Sequence, residues 1–119
     1  MEKTTIELAA ERFLKSGVVD GSAETELASA CDAEVQKLSR SSFSQAVVLA
    51  KKFAKHASHR GGVLESTAYR TLARVLHLSG SHSEALDAYL KARKLMSRDA
   101  MVRSRIDRAL IDVYMYLGN

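Results

Sequence analysis

Apolar positions between Ser66 and Ser97 recur at the spacing of two amphipathic helices. In the first half they fall three or four residues apart, at Ala68, Leu72, Val75 and Leu76. The second half repeats the spacing at Ala85, Ala88, Tyr89, Ala92 and Leu95. Residues at these intervals share one face of an α-helix. The pattern therefore predicts helices near residues 64–79 and 83–97, joined as an antiparallel hairpin.

The turn between these helices carries its own signals. Gly80 follows the last apolar turn of the first helix, where a left-handed C-terminal cap is favourable. Ser81, followed three residues later by Glu84, has the form of a capping box. We therefore expect Ser81 to cap the second helix.

The same periodicity recurs along the rest of the chain and predicts four further helices. They lie near residues 4–16, 23–39, 42–59 and 99–117. Gly17 and the Gly61-Gly62 pair interrupt the pattern between them. The expected fold class is all-α.

An internal repeat relates the third helix to the fifth at an offset of 39 residues. Ser42 and Gln45 align with Ser81 and Glu84, so two capping boxes are expected in one register. At the same offset Ala50 aligns with Tyr89 and Phe53 with Ala92, an exchange of large for small that conserves volume. Residues 23–59 are interpreted as a divergent copy of residues 64–97.

The better copy resembles a tetratricopeptide repeat (TPR). The resemblance is carried by Tyr69, Leu72, Ala73, Gly80, Glu84, Ala85, Leu86, Tyr89 and Ala92. Ser97 stands where the family usually has proline, and a period of 38–39 residues exceeds the family's 34, as in its longer-period variants. The resemblance implies a right-handed solenoid of antiparallel hairpins, with a concave, peptide-binding groove lined by the first helix of each repeat.

The predicted organisation is a single TPR-like domain over residues 1–119. It comprises a lead-in helix (4–16), a divergent repeat (23–59), the best repeat (64–97) and a last helix (99–117). Gly118 lies 38 residues after Gly80, at the place of a repeat's turn. Two interpretations of the last helix stay open: the first helix of a further repeat, in an N-terminal piece of a longer protein, or a capping helix.

Composition agrees with one small helical domain. Of the 119 residues, 46% are hydrophobic and 6% aromatic, which suits a core of small side chains. A single cysteine, Cys31, cannot form an internal disulfide, and the chain opens with no secretory signal pattern. We expect a cytoplasmic protein without a membrane span.

Charge is uneven along the chain. Residues 1–34 hold three basic and eight acidic side chains, a net of −5, and residues 35–119 hold 15 basic and six acidic, a net of +9. Many basic residues gather near helix C-termini, where they interact favourably with the helix dipole. Nucleic-acid binding through the basic half is an alternative function, but no aromatic stacking platform or recognition-helix motif accompanies it.

Four arginines are candidates for a ligand site in the implied groove. They are Arg70, Arg74, Arg105 and Arg108. Spacings of three and four residues place each pair on one helix face. Guanidinium groups bind carboxylates in a bidentate manner, so the expected ligand is an acidic peptide or a chain-terminal carboxylate. Alternatively, the arginines pair within the domain, with Asp107, Asp112 or Glu65.

The last helix carries a second candidate surface. Its apolar stripe consists of Ile106, Leu110, Val113, Tyr114 and Leu117. If this helix has no partner, these side chains stay in water, and a homodimer or a bound partner would cover them. Self-association through this face is therefore predicted for an unpartnered last helix.

Catalytic and metal-binding patterns are weak. His56 and His59 share one helix and His77 and His82 flank a turn, but neither pair comes with ligands at the spacing of a structural zinc site. Cys31 lies among apolar positions and fits a small core residue better than a nucleophile. No phosphate-binding loop, dinucleotide fingerprint or metalloprotease motif is present in the sequence. The expected function is non-enzymatic, with no metal and no cofactor.

Protein binding is therefore the leading expectation. The predicted protein is a scaffold that holds a peptide or partner helix in its groove. Alternatives are nucleic-acid binding through the basic face, or a sensor or regulatory arm of a larger effector or transcription regulator.

Overall fold

Six helices make up the regular structure of the described residues, which are 4–19, 21, 23–96 and 100–118 of a computed structural model. The helices are α1 (Thr5–Ser16), α2 (Glu24–Ser39), α3 (Phe43–Ala57), α4 (Gly62–Leu78), α5 (His82–Leu95) and α6 (Ala100–Tyr116). All six were predicted, and the all-α class is confirmed. The predicted boundaries at Ser97 and Asp99 lie outside the described residues.

Local sequence signals account for both ends of α1. The Thr4 hydroxyl oxygen accepts from the Glu7 backbone N–H at 3.2 Å, and the Glu7 carboxylate accepts from the Thr4 N–H at 3.3 Å. This reciprocal pair is a complete capping box. At the other end Gly17 adopts φ 75°, and its N–H donates to the Phe13 carbonyl at 2.8 Å. A left-handed glycine here ends the helix as predicted.

The two capping boxes expected in one register are only partly present. The Ser42 hydroxyl oxygen accepts from the Gln45 N–H at 3.2 Å and caps α3. The prediction for Ser81 is wrong: its side chain forms no capping bond within the described structure. Its ψ of 65° departs from the extended conformation that directs an N-cap oxygen toward the first turn. Gly80 does adopt the expected positive φ, at 94°.

The helices pack in chain order. Each of α2 to α5 packs on the helix that follows it, α2 also contacts α4, and α1 lies against both α2 and α3. The first core cluster is centred on Phe13 and Phe53, whose rings meet edge to face with centroids 6.2 Å apart. The second joins α4, α5 and α6, and a smaller one between them joins α2, α3 and α4. The molecule measures 45 × 34 × 21 Å.

Positions related by the 39-residue offset are buried in both helices. The three pairs are Ala46 and Ala85, Ala50 and Tyr89, and Phe53 and Ala92. In the second and third pairs one residue is small and its counterpart is large. The right-handed TPR-like solenoid stays a prediction.

The last helix departs from the expectation of an exposed apolar stripe. Ile106, Leu110 and Val113 are buried, because α6 packs on α5 and shares a core cluster with α4 and α5. Tyr114 is 39% exposed and Leu117 is half-buried. Three of the five side chains predicted for self-association are therefore unavailable to a partner in this conformation, although self-association itself stays a prediction.

Candidate functional site

A cleft of about 300 Å³ opens between α4 and α6 over α5. We call it the arginine cleft, and it is lined by Arg70, Thr71, Arg74, Tyr89, Arg105, Ile106 and Ala109. It brings together three of the four arginines predicted for a ligand site. Arg108, the fourth, is exposed on α6 and does not line the cleft.

Arg74 is held at the cleft by an acidic side chain of α2. Its Nη2 donates to Asp32 Oδ1 at 3.0 Å, and Thr71 Oγ1 donates to the same oxygen at 2.6 Å. Gln36 Nε2 donates to the other carboxylate oxygen at 2.6 Å. Asp32 therefore neutralises Arg74 and links α2 to α4. Sequence reasoning missed Asp32, which lies 42 positions from Arg74 with no local pattern to relate the two.

Arg70 and Arg105 carry the uncompensated charge of the cleft. Neither forms an ion pair or a side-chain hydrogen bond with any described residue. Arg70 is half-buried and Arg105 is exposed. Two guanidinium groups therefore lie beside one concavity with their donors available.

The alternative acceptors suggested by the sequence are engaged elsewhere. Asp107 accepts from Arg93 Nε at 2.6 Å, and Asp112 lies 2.8 Å from His77 Nε2. The Glu65 carboxylate accepts from the Gly61 backbone N–H at 2.8 Å and caps α4. None of these contacts involves a candidate arginine, so among the described residues the internal pairing in the cleft is that of Arg74 with Asp32.

Tyr89 is the aromatic residue of the cleft. It is 5% exposed and belongs to the core shared by α4, α5 and α6. Burial raises the pKa of its hydroxyl, the positive charges of Arg74 and Arg70 lower it, and the negative charge of Asp112 adds to the increase. The phenol is therefore a neutral hydrogen-bonding group near two guanidiniums at neutral pH.

The volume and lining of the cleft limit what it can hold. Ligand pockets usually span about 300–1,000 Å³, so this one admits a single side chain or a chain end. Its unpaired donors are cationic, and the half-buried Ala109 of α6 provides an apolar contact beside them. The arrangement suits a carboxylate attached to a short aliphatic stem.

The described part of the chain contains neither a metal-binding group of three or more ligands nor an activated cysteine. No group of three or more His, Cys, Asp or Glu side chains there is placed to hold a metal ion. Cys31 is fully buried, and burial raises the pKa of its thiol to about 12. A thiol protonated to this extent is a poor nucleophile.

Comparisons of the chain with protein-family models, with curated proteins and with solved structures give no match. The resemblance to tetratricopeptide repeats therefore rests on the residues that carry it. Separately, none of the helices in the described ranges is both long enough and apolar enough to cross a membrane.

Proposed function

We propose that this chain is a non-catalytic protein-interaction domain that binds an acidic segment, or a chain-terminal carboxylate, of a partner protein. The observation that carries the proposal is the pair of unpartnered arginines, Arg70 and Arg105, at one cleft. The Tyr89 hydroxyl is a further donor for the same ligand. Arg74, already paired with Asp32, shapes the wall and adds a weaker attraction.

Electrostatics favour an anionic occupant. Arg70, Arg74 and Arg105 line one small space, and Asp32 neutralises only one of them. Like charges that line one cleft repel each other, and a bound carboxylate relieves that repulsion while it accepts charge-assisted hydrogen bonds. The relief of repulsion and the hydrogen bonds both increase the affinity of the site for an anionic ligand.

The repeat interpretation supports the same location. In a TPR-like solenoid α4 and α6 would be the first helices of successive repeats, and such helices line the concave groove of that family. The arginine cleft opens between these two helices. Peptide binding between these helices is therefore consistent both with the resemblance to the family and with the positive charge of the cleft.

Binding of short acidic peptides tests the proposal. Fluorescence anisotropy compares an acidic peptide with a free C-terminal carboxylate, its amidated form and a version with alanine in place of each acidic residue. Hydrogen bonds to charged groups contribute about 1.5–3 kcal/mol each, so Arg70→Ala/Arg105→Ala should weaken binding at least about tenfold. Loss on amidation identifies a chain end as the ligand, and loss on alanine substitution identifies acidic side chains.

The double variant Arg12→Ala/Arg40→Ala is a matched control, because it removes the same charge from exposed positions outside the cleft. Equal binding by both folded double variants and by wild type, at low salt, would contradict the proposed site. Arg108→Ala tests the fourth predicted arginine, for which little change is expected. Binding to a random DNA duplex that falls steeply with salt and weakens equally in both double variants would instead support the nucleic-acid alternative.

A further inference from the structure

Two histidine rings face each other across the turn between α4 and α5. His77 Nδ1 and His82 Nδ1 lie 2.8 Å apart. On the other side of the first ring, His77 Nε2 lies 2.8 Å from a carboxylate oxygen of Asp112 in α6. Tyr116 stacks on the His82 ring with centroids 4.7 Å apart and meets the His77 ring edge to face. We call these four residues the histidine cluster.

Hydrogen-bond chemistry sets the protons of this cluster. A carboxylate only accepts, so His77 Nε2 must carry a proton that it donates to Asp112. In the neutral ring His77 Nδ1 then holds a lone pair, and His82 Nδ1 donates to it. One proton fits between the two facing nitrogens, whereas two would oppose each other at 2.8 Å. The two facing nitrogens therefore share a single position between them, which a proton or another electron-pair acceptor can occupy.

We propose that a divalent transition-metal ion, with the preferences of Cu²⁺ or Ni²⁺, takes that shared position and is chelated by His77 Nδ1 and His82 Nδ1. With metal–nitrogen distances of about 2.0–2.1 Å, nitrogens 2.8 Å apart subtend an angle of about 84–89° at the metal. This is close to the right angle between neighbouring ligands in square-planar geometry, which Cu²⁺ and Ni²⁺ favour. A tetrahedral ion such as Zn²⁺ needs a wider separation of its ligands.

The number of protons on the two histidines is the same before and after the metal binds. When the metal binds the neutral pair, His82 moves its proton from Nδ1 to Nε2, and His77 keeps its proton on Nε2 against Asp112. Two rings thus present lone pairs to the ion without a net release of protons, and water completes the coordination. Both rings turn slightly, so that their lone pairs converge on the ion.

The surroundings of the cluster resemble the support that protein metal sites use. A histidine ligand commonly donates its second ring N–H to a carboxylate, which fixes the tautomer and raises the basicity of the metal-bound nitrogen. Asp112 occupies that supporting position and is not a third ligand. The stacked ring of Tyr116 restricts the orientation of His82. His77 is largely buried, with 12% of its side chain exposed.

The other two histidines provide an internal comparison. His56 packs its ring against Phe13, with centroids 6.1 Å apart. His59 is exposed after the end of α3. Although these two residues are only three apart in sequence, their rings do not contact each other. The pair flanking the turn is therefore the one with facing nitrogens.

Titration with Cu²⁺, followed by calorimetry and by quenching of tyrosine fluorescence, tests the proposal. Wild type should bind one equivalent, and Tyr116 should be quenched because it touches both rings. His82→Ala should abolish this binding, whereas His56→Ala/His59→Ala should retain it. Asp112→Ala should weaken it about 10–100-fold, as removal of a supporting carboxylate does. The electron paramagnetic resonance spectrum of the Cu²⁺ complex should show two imidazole nitrogens.

Unchanged Cu²⁺ affinity in folded His82→Ala would overturn the proposal. So would loss of the one-equivalent binding in His56→Ala/His59→Ala, or a wild-type spectrum without two imidazole nitrogens. Because His82 is half-buried at the first position of α5, its replacement is compatible with folding, which circular dichroism checks. A wild-type protein that binds Zn²⁺ more tightly than Cu²⁺ and Ni²⁺ would contradict the assigned geometry.

Discussion

Cys31 of α2 lies in the core cluster formed by α1, α2, α3 and α4 and has no exposed surface. Its thiol pKa rises from 9.0 to about 12, chiefly because burial disfavours the thiolate and further because Glu34 and Asp32 are negative. The expectation of a small core residue in place of a nucleophile agrees with this environment. Reactivity requires both access and a thiolate, and the folded chain provides neither.

We expect Cys31 to resist thiol reagents in the folded protein and to react readily in denaturant. The raised pKa of Cys31 also makes the stability of the protein depend on pH. The unfolded thiol ionises near pH 9, whereas the folded thiol stays protonated to about pH 12. The free energy of unfolding should therefore decline as pH rises from about 9 to 12, by up to about 1.4 kcal/mol per pH unit. Urea titrations across that range, with Cys31→Ala as control, measure this contribution.

The difference in unfolding free energy between wild type and Cys31→Ala should be constant below pH 8 and shrink above pH 9. A difference that is the same at every pH, or fast modification of the native thiol, would contradict the assigned burial.

At the scale of elements, polar contacts join α2 to α4: the Glu24 carboxylate accepts from the Leu64 N–H at 3.0 Å, and the Asp32 carboxylate accepts from Thr71 and Arg74. Asp32 is 17% exposed and accepts from Thr71, Arg74 and Gln36. Thr71 is 1% exposed, so its hydroxyl has no access to water as a substitute acceptor. The contact of Asp32 with Thr71 and Arg74 therefore fixes the position of one wall of the arginine cleft relative to α2.

Asp32→Ala should destabilise the protein by about 2–3 kcal/mol, because it leaves a buried hydroxyl without an acceptor and Arg74 without a counter-charge. Thr71→Val should cost less, since Asp32 keeps its other two donors. Thermal or urea unfolding measures both, and the double variant gives their coupling. The control is Asp107→Ala: its ion pair with Arg93 is 43–46% exposed, and such pairs contribute about 0–1 kcal/mol. Equal losses from Asp32→Ala and Asp107→Ala would show that the buried network contributes no more than a surface pair.

At the scale of the whole molecule, α6 completes the core that α4 and α5 begin. Ile106 and Val113 have no exposed surface, whereas Ile111 on the opposite side of the same helix is 61% exposed. Together with Leu110, the buried pair joins Ala73, Leu76, Ala85 and Tyr89 in one cluster. The arginine cleft exists because α6 is docked there, since Arg105 and Ile106 form its wall.

Ile106→Ala should lower the free energy of unfolding by about 2–5 kcal/mol through lost burial and a residual cavity. Ile111→Ala, the matched change on the exposed side, should alter it by less than about 0.5 kcal/mol. Denaturant unfolding of both variants makes the comparison. Similar stability of the two variants would mean that α6 is not docked as described, and the cleft would lose its second wall.

The sequence by itself determined the helices, their breaks and most of the buried faces. Periodicity within three or four residues encodes which side of a helix is apolar, and glycines such as Gly17 and Gly80 mark ends through their own backbone preference. The Arg70–Arg74 spacing likewise predicted a shared face, and both residues line the cleft. These features are local, so no knowledge of packing was needed.

Tertiary structure alone decided which residues distant in the sequence meet. Asp32 and Arg74 are 42 residues apart, and His77 and Asp112 are 35 apart, so no short-range pattern relates the partners. The docking of α6, which buries Ile106 and removes it from the predicted self-association face, has the same origin. An amphipathic helix specifies that one face will be covered, but the covering surface depends on how all the neighbouring helices pack.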